Sequence, residues 1–230
     1  DPPIAVLDNS FPLSTGLDFS VLLKPDDPVL IVESGTKNLM NNSELMGIVY
    51  SPNEVLIEQF RKHKAHSGAV NSTGALQSIS EKMALTIPGF HDRNRRVFSS
   101  TDKLATALIE ARSELGSSTD FVIDYPTMPS HPNHDIATEL TPEGLGFISP
   151  AVFIEYTKVD ARPLIRRISE HPALRDYIRE GEIGLGQSFG LPKARLLYDM
   201  HAPNVRFAGG FDLTDEDGLA AAVKEAAADR

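Results

Sequence analysis

The chain has 230 residues, of which 41% are hydrophobic, and a formal net charge of -10 from 22 Lys and Arg against 32 Asp and Glu. This length and apolar content can bury the core of one large domain or two smaller ones. The negative charge argues against a nucleic-acid backbone or an anionic membrane as partner, and the absence of cysteine excludes disulfides and thiolate catalysis. We therefore expect a small-molecule ligand.

No apolar run approaches the length of a membrane span, and the first residues lack the basic and apolar regions of a signal peptide. These features predict a soluble, cytoplasmic protein. The chain begins with Asp1 and passes almost directly into an apolar run, so we also expect a segment to precede it.

Short apolar runs and helix-like segments alternate in the first half of the chain. Strands are predicted at residues 4–7, 29–32 and 45–50, with a possible short strand at 19–23. Helices are predicted at 54–63, where Asn53 is the cap, at 73–87, where Pro88-Gly89 ends the helix, and at 90–115. Within the last of these, the run Ser99-Ser100-Thr101-Asp102 could begin a separate helix.

Residues 116–119, with the sequence Gly-Ser-Ser-Thr, form the best linker in the chain and place a domain boundary near residue 115. Beyond it, strands are predicted at 121–123, 147–156, 183–185 and 205–207. Helices are predicted up to residue 140, at 160–180 with a break at Pro172, and from a cap at Thr214 to residue 228. This alternation predicts a small α/β sandwich.

Two strand-like runs end in chemically useful side chains. The first ends at Asp8, and the second is followed by Ser34, Thr36 and Lys37. Ligands of open α/β sheets bind beyond the carboxyl ends of the strands, so these residues could share one pocket. A lysine amine, a carboxylate and hydroxyl donors are the groups that pyridoxal 5'-phosphate (PLP) needs. A solvated strand-end lysine and a turn-forming aspartate fit the same spacing.

Five motifs in order resemble the cystathionine γ-synthase and γ-lyase family, the PLP enzymes of Cys/Met metabolism. Ser34-Gly35-Thr36-Lys37 is similar to its Ser-x-Thr-Lys signature, and Leu7-Asp8-Asn9-Ser10-Phe11 resembles its Asp-Asn-Thr-Phe. The run Tyr-Pro-Thr-Met-Pro-Ser-His-Pro at residues 125–132 is similar to its Tyr-Pro-Gly-Leu-x-Ser-His-Pro. Gln187-Ser188-Phe189-Gly190 and the segment around Arg206 match two later motifs.

The resemblance implies an α/β protein, the remainder of a three-layer PLP-transferase of fold type I, aspartate aminotransferase-like. Residues 1–115 would be the rest of the large PLP-binding domain, and residues 116–230 a smaller α/β carboxyl-terminal domain. It further implies a homo-oligomer with shared active sites and a PLP-dependent lyase or transferase that performs β- or γ-elimination or γ-replacement.

The resemblance also assigns roles to individual residues. Lys37 would form the Schiff base with PLP and move substrate protons, and Asp8 would keep the pyridinium protonated. Ser34 and Thr36 would bind phosphate, and Ser10 would lie near the ring. In the substrate site, Arg206 would grip the α-carboxylate through two parallel hydrogen bonds, with Ser188 beside it.

The sequence departs from the family pattern at several points. Glu33 stands where His is usual, Ala208 where Ser is usual, and residues 38–43 lack the Gly-Gly-His pattern. Two alternatives stay open: a non-catalytic or half-site subunit that needs a separate amino-terminal segment or partner chain, and an α/β binding module without a cofactor. A metal site at His131, His134 and Asp135 is a weaker alternative, because no further ligand set follows.

Overall fold

The computed structural model describes residues 3–9, 19–38, 46–68, 77, 87–116, 121–126, 128–129, 131–139, 151–156, 162–185, 192–198 and 204–229. They form a mixed α/β fold with two sheets, as predicted. None of the helices in these ranges has the length and apolar character needed to cross a bilayer.

The first sheet has three strands, β1 (Ala5–Asp8), β2 (Val29–Ser34) and β3 (Gly47–Tyr50), in the order β1-β2-β3. β1 pairs with β2 in parallel, and β2 pairs with β3 antiparallel. All three predicted strands are confirmed. The strand expected at 19–23 is wrong: Phe19–Val21 is a 3-10 helix, because the Phe19 carbonyl accepts hydrogen bonds from the amides of Leu22 and Leu23.

Two helices accompany this sheet, α1 (Gly35–Asn38) and α2 (Glu54–His66). The predicted cap is confirmed, since the Asn53 side chain accepts a hydrogen bond from the Leu56 amide at 3.0 Å. α2 runs three residues past the predicted end at His63. Its last turn holds basic residues, which the negative end of the helix dipole favours.

Helix α3 (Ile87–Leu115) is continuous. Pro88 and Gly89 do not end a helix but lie in its first turn, where the missing proline N–H costs nothing. The second helix start at residues 99–102 is also wrong. The hydroxyls of Ser100 and Thr101 bond the Val97 carbonyl one turn earlier, which lets both residues stay inside the helix. Of the helix predicted at 73–87, residues 73–76 and 78–86 lie outside the described part.

The described part of the second sheet has five strands: β4 (Phe121–Asp124), β5 (Ala151–Tyr156), β6 (Ile183–Leu185), β7 (Ala194–Tyr198) and β8 (Asn204–Ala208). They lie in the order β4-β5-β8-β7-β6, where β6 pairs with β7 in parallel and the other neighbours pair antiparallel. The sequence did not predict β7, whose five residues become a strand by pairing with β6 on one side and β8 on the other. The described part of the strand predicted from residue 147 begins at Ala151.

Four further helices are α4 (His134–Glu139), α5 (Arg162–Glu170), α6 (Pro172–Arg179) and α7 (Glu216–Ala228). The break at Pro172 is confirmed, with His171 capping α6 and Pro172 in its first turn. The cap of α7 is Asp215 rather than Thr214, because the Asp215 carboxylate accepts from the Gly218 amide at 2.9 Å. That bond, followed by one from the Tyr177 hydroxyl, lowers the pKa of Asp215.

The main core lies between the second sheet and the helices α3 and α7. Apolar side chains from both helices and from the inner sheet face are fully buried there, among them Leu104, Leu108, Ala111, Val152, Ile154, Val205, Phe207, Val223 and Ala226. Helix α3 therefore packs with the second sheet although it precedes the predicted boundary. The division at residue 115 stays a prediction.

Candidate functional site

Asp8 lies at the carboxyl end of β1, in register with Val32 of the parallel strand β2. Side chains at the same register of parallel strands face the same way, and they alternate along each strand. Asp8, Val32 and Ser34 thus lie on one face of the sheet, where Asp8 is exposed and Ser34 is half-buried. The structure brings together these two predicted cofactor-binding residues.

The segment after β2 turns at once into the short helix α1, which holds Gly35, Thr36 and Lys37. A Cβ at Gly35 would come within 2.7 Å of the Met46 side chain, so this position needs a residue without one. Lys37 therefore follows the end of β2 within one helical turn. Its side chain, Ser10 and Ser188 lie outside the described part of the chain.

Thr36 is tied to the backbone that leads into β3. Its hydroxyl accepts from the Met46 amide at 2.7 Å and lies 3.3 Å from the Met46 carbonyl, which also accepts from the Thr36 amide at 3.0 Å. The hydroxyl proton that a phosphate would need is already shared with Met46. To donate to a phosphate, the Thr36 hydroxyl would have to give up its 3.3 Å hydrogen bond to the Met46 carbonyl.

A buried polar cluster lies on the opposite face of the same sheet. The Asn9 side chain donates to a Glu33 carboxylate oxygen and to the Tyr50 hydroxyl, both at 3.1 Å. Asn9 and Glu33 are 1% and 5% exposed. Burial and then the Glu33 charge raise the pKa of Tyr50 to about 12, while the hydrogen bond from Asn9 acts the other way.

Sequence reasoning noted Glu33 only as a departure from the family and missed its partners. The signal was the alternation of β2: Val29, Ile31 and Glu33 fall on the same face, and the first two are core residues. A carboxylate in that row marks a buried polar contact.

Arg206 lies in the second sheet, on the central strand β8, between Phe153 of β5 and Leu197 of β7. Its neighbours Val205 and Phe207 are fully buried under the helices, so Arg206 is on the other face of the sheet. Its guanidinium carbon is 6.0 Å from the centre of the Phe153 ring, a cation-π distance. Its side chain is half-buried.

Helix α3 fixes the chain that follows Arg206. The Ser100 hydroxyl bonds both the amide and the carbonyl of Gly210, at 2.9 and 2.8 Å, and the Thr101 hydroxyl accepts from the Gly209 amide at 3.0 Å. A Cβ at Gly209 would overlap the Ser100 hydroxyl oxygen. No local pattern predicts this contact, because it joins residues more than 100 positions apart.

The loop that begins at Tyr125 is anchored by its histidines. His131 contacts the Asp124 carboxylate at 2.7 Å, and the His134 ring bonds the Pro126 carbonyl at 2.9 Å. Tyr125 is 1% exposed and belongs to the core. Across the described ranges, no three His, Asp or Glu side chains are grouped as metal binding requires.

The donor set at the end of the first sheet fits PLP in its chemistry. An exposed carboxylate and a half-buried hydroxyl share a face, and a lysine follows within one helical turn. Arg206 is held by the other sheet.

No protein-family model and no curated relative matches the chain. Among solved structures, it is similar to cystathionine γ-synthase from Xanthomonas oryzae pv. oryzae, with 18% identity and a TM-score of 0.70 over 98% of this chain and 56% of that one. A methionine γ-lyase from Micromonospora echinospora has 18% identity and a TM-score of 0.65, over 98% and 57% of the two chains.

A third similar structure is a Campylobacter jejuni protein assigned as an O-acetylhomoserine (thiol)-lyase, which contains a pyridoxyl-lysine. It has 16% identity and a TM-score of 0.59, over 98% of this chain and 57% of that one. The chain thus has the fold of the matched part of these proteins, fold type I. This confirms the predicted fold class, and it confirms the motif resemblance as far as the fold is concerned. The chain spans just over half their length, in accord with a carboxyl-terminal portion.

Proposed function

We propose that this chain, which shares its fold with cystathionine γ-synthase and methionine γ-lyase, is part of a PLP-dependent enzyme that performs β- or γ-elimination or γ-replacement on an amino acid. The observation that carries the proposal is the placement of Asp8 and Ser34 on one face, at the ends of two parallel strands, just before Lys37.

Each residue of the site would do one task. PLP, when bound, accepts the negative charge that develops on the substrate carbon. The Asp8 carboxylate would hold a proton on the ring nitrogen, and Ser34 would donate to the phosphate, joined by Thr36 once its hydroxyl releases Met46. Ser10 would flank the ring. The Lys37 amine would attach the cofactor and carry protons to and from the substrate.

The substrate would be oriented by the second sheet. Arg206 presents a planar fork of donors that matches the α-carboxylate of an amino acid in two parallel bonds, and Ser188 would lie beside it. The Phe153 ring packs near the guanidinium group and limits its orientation.

Chemical trapping tests the assignment of Lys37. After incubation of the full chain with PLP and reduction with borohydride, we expect a pyridoxyl group on Lys37, found by peptide mass spectrometry. Lys37→Ala should lose that label, whereas the matched control Lys24→Ala, at an exposed lysine, should keep it. Labelling of other lysines with none on Lys37 would refute the assignment.

A second candidate is a half-site subunit that depends on another polypeptide, and the surface of β1 favours it. Ile4, Val6 and Leu7 are 51%, 62% and 39% exposed, although parallel strands are normally covered on both faces. This candidate predicts no Lys37 label in the isolated chain at PLP concentrations that label an intact PLP-dependent lyase treated in parallel as a positive control.

The cytoplasmic location, the homo-oligomer and the two-domain division at residue 115 complete the proposal. They rest on composition and on the motif resemblance.

A further inference from the structure

The strand that carries Asp8 has almost nothing buried to hold its register. All four residues of β1 are exposed, and among residues 3–9 only Asn9 is buried. Register is normally fixed by a buried apolar face, and a one-residue slip turns every side chain to the opposite face. For β1, that slip would carry Asp8 away from Ser34.

Asn9 supplies the missing anchor. Its amide donates to the Val32 carbonyl at 2.7 Å, and its side chain donates one proton to Glu33 and one to Tyr50. These contacts reach β2 and β3, so Asn9 joins the end of β1 to both other strands of the sheet. Only the observed register allows all three bonds.

The charge of Glu33 explains why the amide side chain of Asn9 fits this position and a carboxylate would not. A slip of one residue would bring the Asp8 carboxylate to the position of Asn9, against the buried Glu33 carboxylate. Two carboxylates in one buried site repel, and neither can donate a hydrogen bond while ionised. The amide of Asn9 has the two donors that the site needs.

We infer that Asn9, Glu33 and Tyr50 form a positioning network that sets the register of β1 and so holds Asp8 beside Ser34. None of the three touches the cofactor face, because they lie on the opposite side of the sheet. The network acts through Asp8 and is distinct from the residues assigned above. The effect of the network on PLP affinity rests on the proposed function, whereas its effect on strand register does not.

Exchange of donor and acceptor tests the network. Asn9→Asp removes both side-chain donors without a change of shape and faces Glu33 with a second carboxylate, so PLP affinity should fall about tenfold. The double variant Asn9→Asp/Glu33→Gln restores a donor on the other strand and should regain most of that loss. A double variant no better than Asn9→Asp would overturn the inference.

Val29→Ala is the matched control for stability. Val29 is buried on the same face of β2, at the end remote from Glu33, so its truncation weakens the sheet without touching the network. We expect its PLP affinity to stay within about twofold of the parent chain. Equal losses of PLP affinity in Val29→Ala and Asn9→Asp would show that the three residues contribute only to the stability of the sheet, and would overturn the inference.

Amide hydrogen exchange at residue 9, measured without PLP, separates this inference from the proposed function. Exchange should be about tenfold faster in Asn9→Asp than in Val29→Ala and should slow again in the double variant. If the parent chain takes up no PLP, the proposed function fails, and the exchange pattern alone decides the network. Equal exchange in Asn9→Asp and Val29→Ala would refute it.

Discussion

Tyr50 is held in its neutral form by its surroundings. Its hydroxyl is partly buried and faces the Glu33 charge, and together they raise its pKa from 10.0 to about 12. A phenolate there would be poorly solvated and repelled by the carboxylate. Ionisation of this one side chain therefore opposes the folded state.

This predicts a loss of stability at alkaline pH. Because the folded-state pKa is the higher one, the contribution of Tyr50 is complete below pH 10 and disappears as the pH rises to about 12. Tyr50→Phe cannot ionise, so its unfolding free energy should fall less across that window, as measured by chemical denaturation. Tyr177, whose pKa is also raised to about 12, is present in both proteins and cancels in the comparison. Parallel curves for the two proteins would contradict this role of Tyr50.

At the scale of elements, the contact between α3 and the chain after β8 holds the backbone next to Arg206 in place. Two hydroxyls inside a helix satisfy the buried backbone of Gly209 and Gly210, directly after the strand that holds Arg206. Arg93 of the same helix lies 5.8 Å from the Phe211 ring, and burial lowers its pKa to about 10. Helix α3 thus supports the backbone that follows the proposed substrate-binding arginine.

Thr101→Val tests this support. Valine has nearly the same shape but leaves the buried Gly209 amide without its acceptor, so the unfolding free energy should fall by about 1–3 kcal/mol. Thr106→Val makes the same change on the exposed face of α3 and should alter it by less than about 0.5 kcal/mol. Equal effects of the two substitutions in denaturant titrations would show that the contact contributes nothing.

At the scale of the whole molecule, two features bear on whether the isolated chain binds PLP: the exposure of β1, and the span of the chain over just over half the length of the similar structures. A ligand that binds only the folded state stabilises it by mass action, by about 2.7 kcal/mol at 100 times its dissociation constant. We expect PLP to raise the melting temperature of the full chain, and Lys37→Ala to lose most of that rise. An unchanged melting temperature in the parent chain would favour the half-site subunit or a module without cofactor.

Most elements of the fold followed from local pattern. The apolar runs that became β1 and β2, the Asn53 cap and the break at Pro172 depend on residues that are neighbours in sequence. The misplaced features depended on distant partners. β7 forms because two other strands flank it, and Ser100 and Thr101 stay within a helix while they bond Gly209 and Gly210.

The sequence by itself determined which residue types stand at the strand ends, namely Asp8, Ser34, Thr36 and Lys37, because motif and strand pattern are local properties. Only the tertiary structure decided that Asp8 and Ser34 share a face, since that depends on the register between two strands. It also brought the buried Glu33 carboxylate to the side chain of Asn9. The alternation of β2 marks Glu33 as a buried polar residue, but its partner Asn9 lies 24 positions away and leaves no local pattern, so the sequence could not reveal that hydrogen bond.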